Sequence, residues 1–254
     1  MQLKGKVVVV TGAAGGIGKA LAERFAAEGA KRVVCADLDA AGAAGVADAI
    51  GGLGVGVDVA DERSIVALIE RVEREVGPID LFCSNAGIVF PGGVETDDAQ
   101  WDRIWSVNVM AHVYAARHLV PRMAARGGGY LLNTASAAGL LSQIGCASYA
   151  VTKHAAVGLA EWLAFTHADQ GIKVSVLCPQ AVRTAMTADN ADGVASIDGM
   201  IEPEEVAAIC VQAIAEERFL ILPHPQVRDY MRVKAEDYGR WIGGMRKLAR
   251  RYRW

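Results

Sequence analysis

The 254-residue chain reads as a single α/β domain: a doubly wound parallel sheet of seven strands with helices on both faces, plus a C-terminal helical extension. Two observations predict this class. Short β-branched runs alternate about six times with longer stretches of helical periodicity, and that alternation implies parallel strands joined by right-handed crossovers. Most of the runs are apolar throughout, as expected of strands covered on both faces. No linker-like or low-complexity segment divides the chain, so residues 1–224 form the domain and 225–254 the extension.

The strand candidates are Lys6–Val10, Arg32–Ala36, Val55–Val59, Leu81–Ser84, Tyr130–Thr134, Lys173–Leu177 and Phe219–Leu222. Helical periodicity runs through Ile17–Glu28, Ala40–Ile50, Asp61–Val76, Asp97–Arg126, Ala147–Gln170 and Glu202–Glu216. One connection is irregular. Gln180 to Ile201 lacks periodicity and leaves the carboxyl end of a strand, where open α/β sheets bind ligands. In the extension, Val227, Met231, Ala235, Tyr238, Ile242, Met245, Leu248 and Tyr252 recur three or four apart. That spacing predicts one amphipathic helix interrupted at Gly243-Gly244.

Composition narrows the function. Twenty-six basic against 29 acidic residues leave a net charge of −3, which gives no global reason to bind nucleic acid or acidic membranes. The extension departs from this, with nine basic and three acidic residues, Arg253 among the basic ones. Five dispersed cysteines, Cys35, Cys83, Cys146, Cys178 and Cys210, argue against a disulfide framework and a zinc site and for a reducing compartment. The five histidines show no ligand spacing, and no metal is expected. No signal peptide or membrane-spanning run is evident, which predicts a cytoplasmic protein without a membrane or nucleic-acid partner.

After the first strand, Thr11-Gly12-Ala13-Ala14-Gly15-Gly16-Ile17-Gly18 opens a helix. Glycines permit the tight turn and let backbone approach a pyrophosphate, whose charge the helix N-terminus meets. Asp37 follows Gly18 by nineteen residues, at the end of the second strand, suited to accept from an adenosine ribose. The alternative for Asp37 is a plain helix cap. A carboxylate there repels a 2′-phosphate, and neither Gly15 nor Leu38 is basic, so NAD is favoured over NADP. Tyr149 and Lys153, four apart, share one helix face, and an ammonium beside a phenol favours the phenolate. Ser136, thirteen residues earlier at a strand end, has a hydroxyl suited to hold a substrate oxygen.

The glycine turn, Asn85-Ala86-Gly87, Asn108, Ser136, Tyr149 and Lys153 together closely resemble the short-chain dehydrogenase/reductase family in its compact branch of about 250 residues, over roughly residues 3–222. The resemblance implies a Rossmann fold and hydride transfer between nicotinamide C4 and a carbinol carbon, with Tyr149 as acid/base. By the same resemblance Lys153 also contacts the nicotinamide ribose, and Asn108 holds a water linking Lys153 to solvent. Cofactor contacts are implied for Gly12, Gly16, Ile17, Gly18, Asp37, Leu38, Asp58, Val59, Asn85, Ala86, Gly87, Tyr149, Lys153, Pro179, Val182 and Thr184. Pro179-Gln180-Ala181-Val182-Arg183-Thr184 is similar to the family's Pro-Gly-x-Val-x-Thr segment. Gln180 stands where the family has glycine, so it restricts the backbone or projects towards the substrate.

Substrate contacts are expected from Ser136, Ala138, Leu140, Gln143, Cys146, Tyr149, Ala181 and Met186, with Leu141 and Val194 in the same stretches. This lining is mainly apolar and suits a hydrophobic secondary alcohol or ketone. The alternatives are a reductase of 3-oxoacyl thioesters and a catalytically silent dinucleotide-binding scaffold. Trp101, Trp105 and Trp162 fall on helices that resemble the family's association faces, so a homotetramer or homodimer is expected. The extension is read as an element packed on the domain or on a neighbouring subunit, with closure of the substrate pocket as one role, in preference to one that binds an external partner.

Overall fold

Val7–Val10 offers no polar side chain to solvent, and the chain buries it completely at the middle of the sheet. The computed structural model of the chain describes residues 1–190 and 193–252; Ala191, Asp192 and the extension's Arg253 and Trp254 lie outside the described residues. The strands are β1 (Val7–Thr11), β2 (Arg32–Asp37), β3 (Leu53–Gly56), β4 (Leu81–Ser84), β5 (Gly129–Thr134), β6 (Ile172–Leu177) and β7 (Leu220–Ile221). They form one sheet in the order β3-β2-β1-β4-β5-β6-β7, and every pairing is parallel.

The helices are α1 (Gly16–Ala27), α2 (Ala40–Ala49), α3 (Glu62–Glu75), α4 (Asp98–Trp105), α5 (Ala111–Ala124), α6 (Ala138–Leu141), α7 (Ala147–Thr166), α8 (Pro203–Ala215), α9 (Gln226–Glu236) and α10 (Tyr238–Arg251). Alternate side chains of β1 feed two cores. Val7 and Val9 pack with Ile65 and Ile69 of α3, Leu119 of α5 and Ala156 of α7. Val8 and Val10 pack with Leu21 and Phe25 of α1 and with Val206 and Ile214 of α8. Strand order reverses between β1 and β4, which opens a crevice above their carboxyl ends. Among the described residues no helix is long and apolar enough to cross a membrane.

Four expectations need correction. The third strand is Leu53–Gly56 rather than Val55–Val59, because its partner β2 ends at Asp37, opposite Gly56. Val57 and Val59 lie past the sheet, buried in a core. The expected helix 97–126 is divided by a π turn, Ser106–Met110, between α4 and α5. A short helix, α6, follows β5 where none was foreseen. The extension is two helices, broken at Asp237 and not at Gly243-Gly244. Asp237 is extended there (φ −152°, ψ 97°), and its carboxylate accepts the Arg240 N–H at 2.9 Å to start α10. That break resets the helical register: Ile242 of the expected apolar stripe is 53% exposed, whereas Trp241 is half-buried.

Candidate active site

The glycine turn between β1 and α1 is held open by contacts that leave no room for side chains. Gly12 has φ +69°, and a Cβ there would lie 2.9 Å from the Ala86 Cα. A Cβ on Gly18 would collide with the Gly12 carbonyl, and one on Gly16 (φ +51°) would meet Thr184 Cγ2 at 3.0 Å. Backbone amides and the α1 N-terminus are therefore accessible to a diphosphate. Thr11 ties this turn to the next: its Oγ1 accepts the N–H groups of Asn85 (2.9 Å) and Ala86 (3.1 Å). The Asn85 side-chain amide donates to the Thr11 carbonyl at 3.0 Å.

Asp37 closes the adenosine side. Its Oδ2 accepts the Ala14 N–H at 2.9 Å, so the carboxylate is locked against the glycine turn. The cap of α2 is Asp39, which accepts from Gly42 N at 3.0 Å, and this removes the helix-cap reading of Asp37. Leu38 beside it is 67% exposed at the cleft wall. Asp58 also lines the cleft and pairs with Arg103 at 3.4 Å, a cation the sequence reading did not single out.

At the other end, α7 brings Tyr149 and Lys153 to one wall, with the Lys153 Nζ 5.6 Å from the Tyr149 ring centre. Lys153 is buried and donates to the Thr134 carbonyl at 3.0 Å. Burial pulls its pKa down to about 8. Burial pushes the Tyr149 phenol above its ordinary value, while the Ser136 hydroxyl pulls the other way. The net shift is upward because desolvation of the buried phenol outweighs the Ser136 hydrogen bond. Ser136 is fixed by its own turn, its Oγ donating to the Pro179 carbonyl (3.3 Å) and accepting the Ala138 N–H (3.1 Å).

Nearly all the expected site residues meet in one cleft of about 1430 Å³: Gly12, Gly16, Ile17 and Gly18 of the glycine turn, Asp37, Leu38, Asp58, Val59, Asn85, Ala86, Gly87, Ser136, Tyr149, Lys153, Pro179, Ala181, Val182, Thr184 and Met186. Ala138, Gln143, Cys146, Leu141 and Val194 line it too. Burial raises the Cys146 thiol, which keeps it neutral. Two residues are placed otherwise. Leu140 packs beside Val227 under the extension, and its carbonyl accepts from Lys234 Nζ at 2.6 Å. Asn108 is fully buried in the π turn, behind the cleft wall rather than on it. Both its amide hydrogens are committed, to the Ile88 carbonyl (2.9 Å) and Thr152 Oγ1 (3.3 Å), and its Oδ1 accepts the Ile88 N–H at 2.9 Å. It braces Gly87-Ile88, the backbone next to Lys153.

Gln180 does not strain the chain in place of glycine: among the described residues only Ser142 and Glu217 are non-glycines with positive φ. Its N–H donates to Nδ1 of buried His224 at 3.2 Å, an anchor that sequence spacing did not reveal. The extension was expected only as a cover, with none of its residues named as a contact. Tyr230, Val233, Arg240, Trp241, Gly243, Gly244, Met245, Lys247 and Leu248 all line the cleft. Their periodicity was legible, but the surface they cover was not. Val227 is fully buried against Ala137 and Leu141, and Tyr230 donates to Asp198 at 2.9 Å.

A parallel sheet with a glycine-lined phosphate turn at its switch point, and a Ser–Tyr–Lys wall further along the same crevice, defines a dinucleotide-dependent oxidoreductase. The family model described as short chain dehydrogenase matches residues 6–195, and the chain belongs to that family. It is 34% identical to 1-deoxy-11-beta-hydroxypentalenate dehydrogenase of Streptomyces exfoliatus, over 95% of this chain and 91% of that one. A short chain dehydrogenase/reductase from Burkholderia phymatum, solved in complex with NAD, is similar with a TM-score of 0.86 and 31% identity, covering 94% of this chain and 96% of that one. A 3-ketoacyl-(acyl-carrier-protein) reductase from Brucella melitensis complexed with NADH has a TM-score of 0.81 and 30% identity, covering 87% and 97%.

Proposed function

We propose that this dehydrogenase uses NAD and interconverts a hydrophobic secondary alcohol and its ketone. The carrying observation is the meeting of Ser136, Tyr149 and Lys153 in the cleft that begins at the glycine turn. The residues at the other end fit a nicotinamide dinucleotide: the Gly12, Gly16 and Gly18 positions leave space only for backbone, and Asp37 sits locked beside them. The bound cofactor supplies a hydride acceptor or donor at its nicotinamide C4. Ser136 hydrogen-bonds the substrate oxygen, and Tyr149 takes or returns the hydroxyl proton. Lys153, held by the Thr134 carbonyl, orients the ribose and favours the phenolate.

NAD is supported over NADP by the Asp37 carboxylate, which repels a 2′-phosphate, and by the similar structure solved with NAD. The alternative of a 3-oxoacyl thioester reductase is not separated by cofactor, since the Brucella melitensis reductase was solved with NADH. Substrate separates them. Nicotinamide absorbance with a panel of ring and chain secondary alcohols, ketones and 3-oxoacyl thioesters, each with both cofactors, tests the reading. Turnover of alcohols with NAD is the expected result; a preference for NADP or for thioesters overturns it. A homotetramer or homodimer belongs to the proposal, supported by Trp162 and Phe165, 50% and 71% exposed on α7. So does a cytoplasmic location, supported by five free cysteines.

A further inference from the structure

Helix α10 carries five basic residues within its span, Arg240, Arg246, Lys247, Arg250 and Arg251, and only Arg240 and Lys247 among them line the cleft. They stand seven residues apart, two helical turns or about 10 Å along the axis, on one face. Beside them on the cleft wall are Trp241, Met245 and Leu248, an apolar stripe of the same period. Among the described residues neither cationic side chain has a hydrogen-bond or ion-pair partner, in contrast to Arg232 of α9, which pairs with Asp229 and Glu236.

Between the two cations lie Gly243 and Gly244, which also line the cleft. A glycine inside a helix is destabilising relative to alanine, so two in succession call for a reason. Among the described residues, no atom beyond the chain neighbours and the helix's own backbone lies within 4 Å of where a Cβ would stand at either position. Helix packing is therefore not the reason: the glycines leave a notch that faces open cleft. Among the described residues the carboxylates lining the cleft are Asp37, locked on the glycine turn, and Asp58, paired with Arg103, both at the adenosine end. The substrate end thus presents apolar walls, buried Lys153, and two unpaired cations flanking a gap.

We infer that the substrate carries a carboxylate on an apolar skeleton, remote from its carbinol carbon, and that Arg240 and Lys247 bind this carboxylate across the Gly243-Gly244 notch. This deepens the secondary-alcohol reading and rests on it. The apolar skeleton lies along Trp241, Met245 and Leu248, while Tyr149 and Ser136 of the same cleft meet the hydroxyl. A cation pair also serves orientation: it fixes which end of the molecule enters first, and hence which hydroxyl meets the nicotinamide.

The test uses the full-length enzyme and pairs of hydroxy-substituted ring carboxylic acids, from one ring to two fused rings, each with its methyl ester. The wild type is expected to prefer acid over ester by about tenfold or more in kcat/KM, a preference that shrinks as salt rises. In the double variant Arg240→Met/Lys247→Met the acid-to-ester ratio falls to about one, through KM of the acid. Gly244→Leu, which keeps both charges and fills the notch, lowers the ratio as well. NADH affinity, measured by fluorescence titration, stays the same in both variants. Equal use of acid and ester by the wild type overturns the inference and leaves the alcohol reading standing. A fall in NADH affinity in the double variant overturns it too, by assigning the cations to the dinucleotide phosphates. Absence of turnover with any alcohol or ketone overturns the functional reading, and the inference with it.

Discussion

Around Gly12–Gly18 the cleft is lined by backbone whose course is set by positions no side chain can occupy, whereas around Tyr149 it is lined by side chains arriving from α6, α7, the segment after β6, and α10. The first end is assembled from a short stretch of sequence and two neighbouring strand ends. The second needs four segments separated by up to about a hundred residues to converge. A site made from local backbone tolerates little change and recognises a constant group. A site made from convergent side chains can be retuned without touching the sheet.

Tyr149→Phe separates the ends most sharply. Loss of one positioned acid/base typically costs 10²–10⁴-fold, so kcat should fall by about that factor while NADH still binds. Retention of substantial turnover would remove Tyr149 from its role. Gly18→Ala is the reciprocal change. Its Cβ would meet the Gly12 carbonyl and lie 2.7 Å from the Asn85 amide, so NADH binding should be lost. The fold should weaken by about 1–3 kcal/mol, read from thermal unfolding.

Asp37→Ala is expected to cut the NAD-over-NADP preference about tenfold, since one charge repulsion is removed and no cation is added. Val227→Ala should loosen the extension from Ala137 and Leu141. The measured result would be a severalfold higher KM for the alcohol with an unchanged NADH titration; equal shifts in both would mean that the extension serves the whole cleft.

The smallest effect is one of pH. Burial and the Lys153 charge pull the pKa of His112 down to about 3, whereas the unfolded histidine titrates near 6.5. Between those values the unfolded state binds more protons, so stability falls as pH drops from about 6.5 towards 3. His112→Gln should flatten that acid limb in urea titrations. Lys153, lowered to about 8, acts in the same sense further up: its strain is full below pH 8 and eases as pH rises towards 10.5.

Several elements were legible in the residues alone. Apolar runs such as Val7–Val10 have to be buried on both faces, and the 3.6-residue period between them has to be helix. The glycine turn with Asp37, and the Tyr149–Lys153 pair, depend on spacing within one or two elements, and spacing is what a sequence records. The division of 97–126 was not legible, because the π turn answers to Ile88 and Thr152, which lie far off in the chain and draw in Asn108. Nor was the break at Asp237 legible, since its alternative at Gly243-Gly244 carried the stronger local signal.

Period, turn chemistry and charge balance thus belong to the chain as written: they follow from local sterics and the need to bury apolar surface, and they predict a doubly wound sheet with a dinucleotide turn. The course of the basic extension belongs to the tertiary structure alone. Amphipathic spacing says that a helix will bury one face, but it does not say against what. Only the packing of Val227 under α6, the Lys234 bond to Leu140, and the restart at Asp237 turn Arg240 and Lys247 into the cleft.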